Sequence, residues 1–99
     1  KRIFLLYRYA YSLYQIGSLK QAIEIYSKLL KFIKKTNNIF KIKEYIALSQ
    51  FLSQKYELAI NTFNELLVIG KKINITKEKQ VSIYQNIALS YLLAKNYDK

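Results

Sequence analysis

Apolar residues recur at steps of three and four along almost the whole chain. This spacing is the period of an α-helix with one apolar face. There is no proline and there are only two glycines, so long helices are allowed and a turn-rich β fold is disfavoured. The pattern predicts an all-α fold of five helices, near Ile3–Ile16, Leu19–Lys35, Phe40–Leu52, Lys55–Ile69 and Lys77–Ala94.

The breaks between these helices carry residues with turn and capping chemistry. Gly17 can adopt a positive φ and end the first helix, and Ser18 offers an oxygen that caps the second. The segment 36–38 is typical of a polar turn, and Gly70 is expected to close the fourth helix. Thr76 is expected to cap the fifth. Such short connections imply antiparallel neighbours.

A pattern of small and aromatic residues returns along the chain. A small residue lies midway along the first helix of each predicted pair, and another lies in the second helix, followed four positions later by an aromatic residue. In chain order these are Ala10, Ala22, Tyr26, Ala47, Ala59, Phe63 and Ala88. Small residues let two helix axes approach closely, and the aromatic ring fills the gap beside them. One such hairpin cannot bury its apolar faces alone, whereas stacked copies can.

This ordered set resembles the tetratricopeptide repeat (TPR) family over nearly the whole chain. The matching residues are Tyr9, Ala10, Leu13, Gly17, Leu19, Ala22 and Tyr26; then Ile46, Ala47, Tyr56, Ala59 and Phe63; then Ile87, Ala88, Tyr91, Tyr97 and Asp98. The resemblance implies one domain of antiparallel helix hairpins stacked as a right-handed superhelix. Repeat 1 would span about 3–38, repeat 2 about 39–75, and the first helix of repeat 3 about 77–95.

The departures from the family pattern indicate which style of TPR repeat the chain resembles. Leu6, Lys43 and Tyr84 stand in place of the opening tryptophan, and the closing proline is absent. The spacing from Ala10 to Ala47 is 37 residues and from Ala47 to Ala88 is 41, against the usual period of about 34. Longer repeats of this style resemble those of peptide-sensing regulators in Gram-positive bacteria and of kinesin light chains.

Several classes of function are disfavoured by what the composition lacks. There is no cysteine and no histidine, and the six acids are scattered, so we predict no enzyme, no metal site and no cofactor. No apolar run approaches the roughly 18 residues that span a membrane. Lack of cysteine agrees with a reducing compartment, and we expect a cytoplasmic protein. Since residue 1 is not methionine, we expect the chain to be an excerpt of a longer protein.

The formal net charge of +11 raises an alternative, a basic surface that binds nucleic acid or an acidic partner. All but two of the 17 basic residues are lysines, and they are spread along the chain. Nucleic-acid readers favour arginine, whose planar fork pairs with phosphate and guanine. A solvated basic face is therefore the favoured interpretation.

The resemblance also implies where a partner would bind, since in TPR arrays the first helix of each pair lines a concave groove. The predicted peptide-binding residues are Tyr7, Arg8, Tyr11, Tyr45, Leu48, Asn86 and Leu89. They do not match the family's lysine and asparagine clamp for a peptide carboxylate. Asn86 resembles the asparagine by which peptide-sensing arrays hold a backbone amide. The competing interpretation is that the tyrosines pack within the array.

We therefore predict a non-catalytic module that binds a peptide or a partner helix, as the sensing or scaffolding part of a larger bacterial protein. Two alternatives stay open beside it. One is the basic surface. The other is a structural or oligomerisation segment, because the fifth helix carries apolar residues that no sixth helix covers: Ile83, Ile87, Tyr91, Leu92 and Leu93.

Overall fold

The computed structural model describes residues 2–97 and consists of five α-helices there, with no strand in that range. The helices are α1 (Arg2–Gln15), α2 (Leu19–Leu30), α3 (Thr36–Leu52), α4 (Tyr56–Ile73) and α5 (Lys77–Tyr97). The all-α class and the number of helices are thus confirmed. The proposed match at Asp98 lies outside the described residues, and the stacking as a right-handed superhelix stays a prediction.

Each helix packs against the helices before and after it in the chain, giving an array of 45 × 31 × 19 Å. The apolar side chains form two core clusters. The first consists of Ala10, Leu13, Ala22, Tyr26, Leu29, Ile42 and Ile46. The second consists of Phe40, Ala47, Ala59, Phe63, Leu66 and Ile83. The expectation that Ile83 and Ile87 lie uncovered on the fifth helix is therefore wrong, because Ile83 is 2% exposed and Ile87 packs against this cluster. Helix α3 supplies residues to both clusters, so it is the element that joins the two halves of the chain.

The predicted pairing of small and aromatic residues is present in both hairpins. Ala10 and Ala22 are fully buried in the first cluster, and Ala47 and Ala59 are fully buried in the second. The aromatic residue that follows each second-helix alanine, Tyr26 or Phe63, lies in the same cluster as that alanine. Close helix approach at the alanines leaves a gap that only a large side chain fills.

The turns of the two hairpins have equivalent backbone conformations and hydrogen bonds. Gly17 has a φ of 88°, and Gln54, 37 residues later, has a φ of 66°. The amide of residue 18 donates to the carbonyl of Leu13 at 2.9 Å, and that of residue 55 donates to the carbonyl of Gln50 at 2.9 Å. Both turns therefore end a helix with a left-handed residue, the conformation that glycine adopts most easily.

The boundary between α2 and α3 differs from the prediction. Helix α2 ends at Leu30 rather than Lys35, and α3 begins at Thr36 rather than Phe40. The segment 36–38 is the first turn of α3, and the amides of Asn38 and Ile39 both donate to the carbonyl of Lys35 at 3.0 Å. Threonine and asparagine favour helix N-termini as well as turns, so their presence did not distinguish the two.

Gly70 does not close α4, which continues to Ile73. The helix ends instead at Asn74, in the left-handed region with a φ of 56°. A Cβ on Gly70 would lie 2.6 Å from Cδ1 of Ile75. The glycine is therefore needed for close packing, because the chain after α4 folds back over it and the Ile75 amide donates to the Gly70 carbonyl at 3.1 Å.

The two predicted caps have different outcomes. The Thr76 hydroxyl oxygen accepts a hydrogen bond from the Lys79 amide at 3.1 Å, so it caps α5 as expected. Ser18 occupies the N-cap position of α2, but its side chain makes no capping hydrogen bond.

Along the described residues, no helix is long and apolar enough to cross a membrane.

Replacing Gln54 by glycine is expected to stabilise the chain. A glutamine with a left-handed backbone is strained, and glycine removes that strain at the cost of more freedom in the unfolded chain. We expect Gln54→Gly to raise the free energy of unfolding by about 0.5–1 kcal/mol, measured by urea denaturation followed by circular dichroism. Ser53→Gly is the matched control, because Ser53 has an ordinary φ of −85° and should lose stability. Equal losses in both variants would contradict the prediction.

Candidate binding surface

Five tyrosines from three helices form one cluster, here called the tyrosine cluster: Tyr7, Tyr11 and Tyr14 of α1, Tyr26 of α2 and Tyr45 of α3. The three on α1 share a face because they follow one another at steps of four and three. Those on α2 and α3 reach the same place because both helices supply the first core cluster.

Tyr45 lies at the centre of the tyrosine cluster. Its ring stacks on that of Tyr26, with centroids 5.5 Å apart and planes 5° from parallel. It meets Tyr11 edge to face at 5.5 Å and Tyr14 at 5.2 Å. Such offset and edge-to-face contacts stabilise aromatic pairs beyond the area that they bury. One side chain of α3 thus contacts both helices of the first hairpin.

The five tyrosines of the cluster differ in how much of each side chain is buried. Tyr26 is fully buried, Tyr7, Tyr14 and Tyr45 are half-buried, and Tyr11 is 38% exposed. Burial raises the pKa of Tyr7, Tyr14 and Tyr45, with neighbouring tyrosines and Glu44 adding to the effect. Burial raises the pKa of Tyr26 far above its usual range. An ordinary tyrosine is already protonated at neutral pH, and these raised pKa values extend the protonated state of the four phenols to higher pH.

An ion pair extends this surface from α3 to α5. Nζ of Lys79 lies 2.6 Å from Oε2 of Glu44, whose side chain is mostly buried. The Tyr11–Tyr45 contact joins α1 to α3, so α1, α3 and α5 lie side by side. We call the side that carries the tyrosine cluster, Glu44 and Lys79 the tyrosine face.

Other side chains of α3 point to α4 and leave the tyrosine face open. Nζ of Lys43 lies 3.0 Å from Oε1 of Glu65. The Thr62 hydroxyl donates to Oε1 of Gln50 at 2.7 Å. These contacts hold α4 on the opposite side of α3 from Tyr45. Some side chains of α3 therefore pack against α4, while neighbouring ones lie on the tyrosine face.

Two cavities lie beside the tyrosine cluster and share Tyr7. The first, of ≈ 420 Å³, follows α1 and is lined by Tyr7, Arg8, Tyr11, Ser12, Gln15 and Ile16. In it, Nε2 of Gln15 donates to the Tyr11 hydroxyl at 2.7 Å. The second, of ≈ 450 Å³, lies between α1 and the start of α3 and is lined by Ile3, Phe4, Tyr7, Leu29, Ile33, Asn38, Lys41 and Ile42. Volumes of this size suit apolar side chains or a small ligand.

The structure brings together four of the seven residues predicted to bind a peptide. Tyr7, Arg8 and Tyr11 line the first cavity, and Tyr45 contacts Tyr11. Arg8 is exposed, and its guanidinium lies 5.7 Å from the centroid of the Phe4 ring.

The other three predicted residues lie farther along the array. Leu48 is half-buried and packs against the second core cluster. On α5, Asn86 is half-buried and Leu89 is exposed. The Asn86 carbonyl accepts a hydrogen bond from the Ser90 hydroxyl at 2.7 Å. A role for any of the seven in binding stays a prediction.

The prediction did not include Tyr14, Tyr26, Glu44 and Lys79 among the binding residues. Helical spacing nevertheless places Tyr14 on the groove side with Tyr7 and Tyr11, and Glu44 lies on that side next to Tyr45. The pairing of Glu44 with Lys79 had no sequence signal, since the two residues are 35 positions apart and meet only through packing. Among the described residues, no group of acids, histidines or cysteines could hold a metal ion.

Comparisons with models of protein families, with curated proteins and with solved structures found nothing that matches this chain. The resemblance to the TPR family therefore rests on the residues of the chain and stays a prediction.

Removing the Tyr26 hydroxyl is expected to stabilise the chain. This oxygen is buried and finds no hydrogen-bond partner in the described part of the chain. An unpaired buried hydroxyl costs free energy, and Tyr26→Phe leaves no other group unpaired. We expect the free energy of unfolding to rise by about 1 kcal/mol in urea denaturation. Tyr9→Phe, at an exposed position, should change it by less than about 0.5 kcal/mol. A loss of stability in Tyr26→Phe would contradict the absence of a partner.

The raised pKa of Tyr26 predicts a loss of stability in alkali. Above the usual tyrosine pKa of 10.0 the unfolded chain releases this proton while the folded chain retains it. Stability is therefore full below that pH and falls as the pH rises, by up to about 1.4 kcal/mol per pH unit for this group. Urea midpoints measured between about pH 9 and pH 11 should fall more steeply for the unmodified chain than for Tyr26→Phe. Equal slopes for the unmodified chain and Tyr26→Phe would contradict the prediction, because Tyr26 would then ionise at the same pH in the folded and unfolded chain.

Proposed function

We propose that this chain is a non-catalytic module that binds a peptide or a partner helix on its tyrosine face. The observation that carries the proposal is the side-by-side placement of α1, α3 and α5 through the Tyr11–Tyr45 contact and the Glu44–Lys79 ion pair. Three helices arranged in this way offer a continuous surface rather than a closed reaction site. A surface with aromatic anchors and a few charged groups suits recognition of a polypeptide.

The side chains of the tyrosine face match the chemistry of a peptide. Tyrosine offers a large apolar ring at little cost in conformational entropy, and its hydroxyl bonds to main-chain amides and carbonyls. Tyr11 and Arg8 are exposed beside one cavity, where Arg8 adds a cation able to pair with a carboxylate. The ligand favoured by this set is a segment with apolar or aromatic side chains and at least one acidic group.

We also infer that the hairpins stack as a TPR-like right-handed superhelix. The recurrence of one turn geometry after 37 residues supports this, as does the full burial of the paired alanines in both hairpins. In such an array the first helices form the concave side. Leu48, Asn86 and Leu89 would then extend the groove beyond the tyrosine cluster. The module would serve as the sensing or scaffolding part of a larger bacterial protein of the cytoplasm.

Peptides selected from a random library on the immobilised chain provide the test. We expect Tyr11→Ala and Arg8→Ala each to weaken the best peptide by about tenfold, since buried aromatic and arginine contacts dominate such interfaces. Tyr9→Ala is the matched control, because Tyr9 is exposed on α1 but points about 200° away from Tyr11. Binding is measured by isothermal titration calorimetry, with circular dichroism to check folding.

A second variant keeps this test decisive if Tyr11→Ala loses stability. Tyr11→Phe retains the ring contacts with Tyr14 and Tyr45 and removes only the hydroxyl. Asn86→Ala tests the outer part of the proposed groove. Unchanged affinity in Tyr11→Ala and Arg8→Ala, or an equal loss in Tyr9→Ala, would show that the tyrosine face is not the binding surface.

A further inference from the structure

Lysines collect in the two connections that join each hairpin to the helix after it. Residues 28–35 and 71–77, which hold these connections and the helix ends beside them, contain seven lysines and no acid: Lys28, Lys31, Lys34, Lys35, Lys71, Lys72 and Lys77. The turns within the two hairpins are different, since residues 16–20 and 53–57 contain two lysines and one glutamate. The positive charge is therefore distributed unevenly between the connections.

Both lysine-rich connections lie at the same end of the hairpins. Helices α3 and α4 are antiparallel neighbours joined by the turn 53–55, and Lys43 of α3 pairs with Glu65 of α4. Counting seven positions back from Lys43 and seven forward from Glu65 brings Thr36 opposite Lys72. The connection before α3 and the connection after α4 are thus neighbours. We call the surface formed by the seven lysines the lysine end.

The charge of the lysine end is not neutralised by acids. All seven lysines are exposed. The ion pairs of the described residues involve other lysines, Lys43 and Lys79. Glu78 follows directly after Lys77 and leaves most of the charge uncompensated. Like charges that lie close together repel one another and raise the affinity of a surface for anions.

An exposed aromatic side chain lies among these lysines. Phe32 is 62% exposed, whereas its neighbour Ile33 packs against the first core cluster. The amide of Phe32 donates to the carbonyl of Leu29 at 2.9 Å, which fixes the backbone that carries the ring. An apolar ring held outward between cations matches the boundary between lipid headgroups and acyl chains, where charged and apolar groups are both accommodated.

We propose that the lysine end docks on the surface of an anionic lipid bilayer. The ammonium groups lie near the charged lipid headgroups, and the Phe32 ring enters the headgroup layer. Clusters of about four to eight basic residues are typical of surfaces that bind anionic lipids. Stacked helical repeats contact one another through helix faces, so helices added on either side of the array would leave this end open.

The composition of the lysine end favours lipid over nucleic acid. It contains no arginine, whose planar group pairs with phosphate and guanine. A lysine carries a point charge on a flexible chain, which suits a fluid surface without a fixed pattern of phosphates. Proteins that bind single strands stack successive bases on several aromatic rings, and the two connections of the lysine end contain Phe32 alone.

Co-sedimentation of the full chain with lipid vesicles tests the proposal. Vesicles of phosphatidylcholine with about 30% phosphatidylserine should bind the chain, and vesicles of phosphatidylcholine alone should not. Binding should fall steeply between about 0.1 M and about 0.5 M salt, because salt screens the attraction. We expect the double variant Lys34→Gln, Lys35→Gln to weaken binding by about tenfold or more, and Phe32→Ser by about fivefold.

The double variant Lys20→Gln, Lys55→Gln is the matched control, because it removes the same charge from the opposite end of the hairpins. It should weaken binding by less than about threefold, since those lysines lie away from the lipid. Tyr11→Ala should leave binding unchanged, which separates this proposal from the one for the tyrosine face. Equal losses in the two double variants would overturn the proposal, because net charge alone would then explain the binding.

A single tryptophan reports whether the ring enters the lipid, since the chain has no tryptophan of its own. When the anionic vesicles are added, the fluorescence emission of Phe32→Trp should shift to shorter wavelength. The emission of Leu58→Trp, at an exposed position near the opposite end, should not shift. Equal shifts in both variants, or a shift in neither, would overturn the proposed orientation on the bilayer.

Titration with a duplex DNA tests the competing partner. Absence of binding to the anionic vesicles would overturn the proposal. If the chain then bound the duplex, and Lys34→Gln, Lys35→Gln weakened that binding, the lysine end would be a nucleic-acid surface instead.

Discussion

The stacking of Tyr45 on Tyr26, with ring centroids 5.5 Å apart, is the contact on which the candidate surface depends. It fixes α3 against α2, and the same ring holds α1 through Tyr11 and Tyr14. Because α3 also supplies the second core cluster, its position relative to the first hairpin sets the position of everything that follows it. One helix packed on both sides thus transmits the geometry of one hairpin to the next.

The electrostatics of the tyrosine face follow from that packing. Burial raises the pKa of Tyr45 further above neutral pH, and Glu44 beside it adds to that shift while it pairs with Lys79. In a chain with a net charge of +11, this face carries neutral hydroxyls, the paired charges of Glu44 and Lys79, and the exposed Arg8 beside them. Recognition there would rest on aromatic contacts and directed hydrogen bonds, whereas the exposed lysines elsewhere attract anions without geometric preference.

Two kinds of sequence feature differ in how closely they determine the structure. Alanine and aromatic residues at helical spacing predicted the core because close helix contact admits few alternatives. Gly17 predicted a left-handed turn because few other residues adopt a positive φ easily. Residues with two common uses were assigned wrongly. Asn37 and Asn38 begin α3 instead of forming a turn, and Gly70 makes room for Ile75 instead of ending α4. Asparagine and glycine are each common in more than one backbone setting, so the neighbouring sequence does not show which setting applies.

The sequence by itself determined the number of helices and the small–aromatic pairs that they bury, because these depend on spacing within one helix or one hairpin. Only the tertiary structure decided which tyrosines meet and that Glu44 reaches Lys79. Those facts depend on the angle and register between helices far apart in the chain. Many side chains set that register together, and no short segment encodes it.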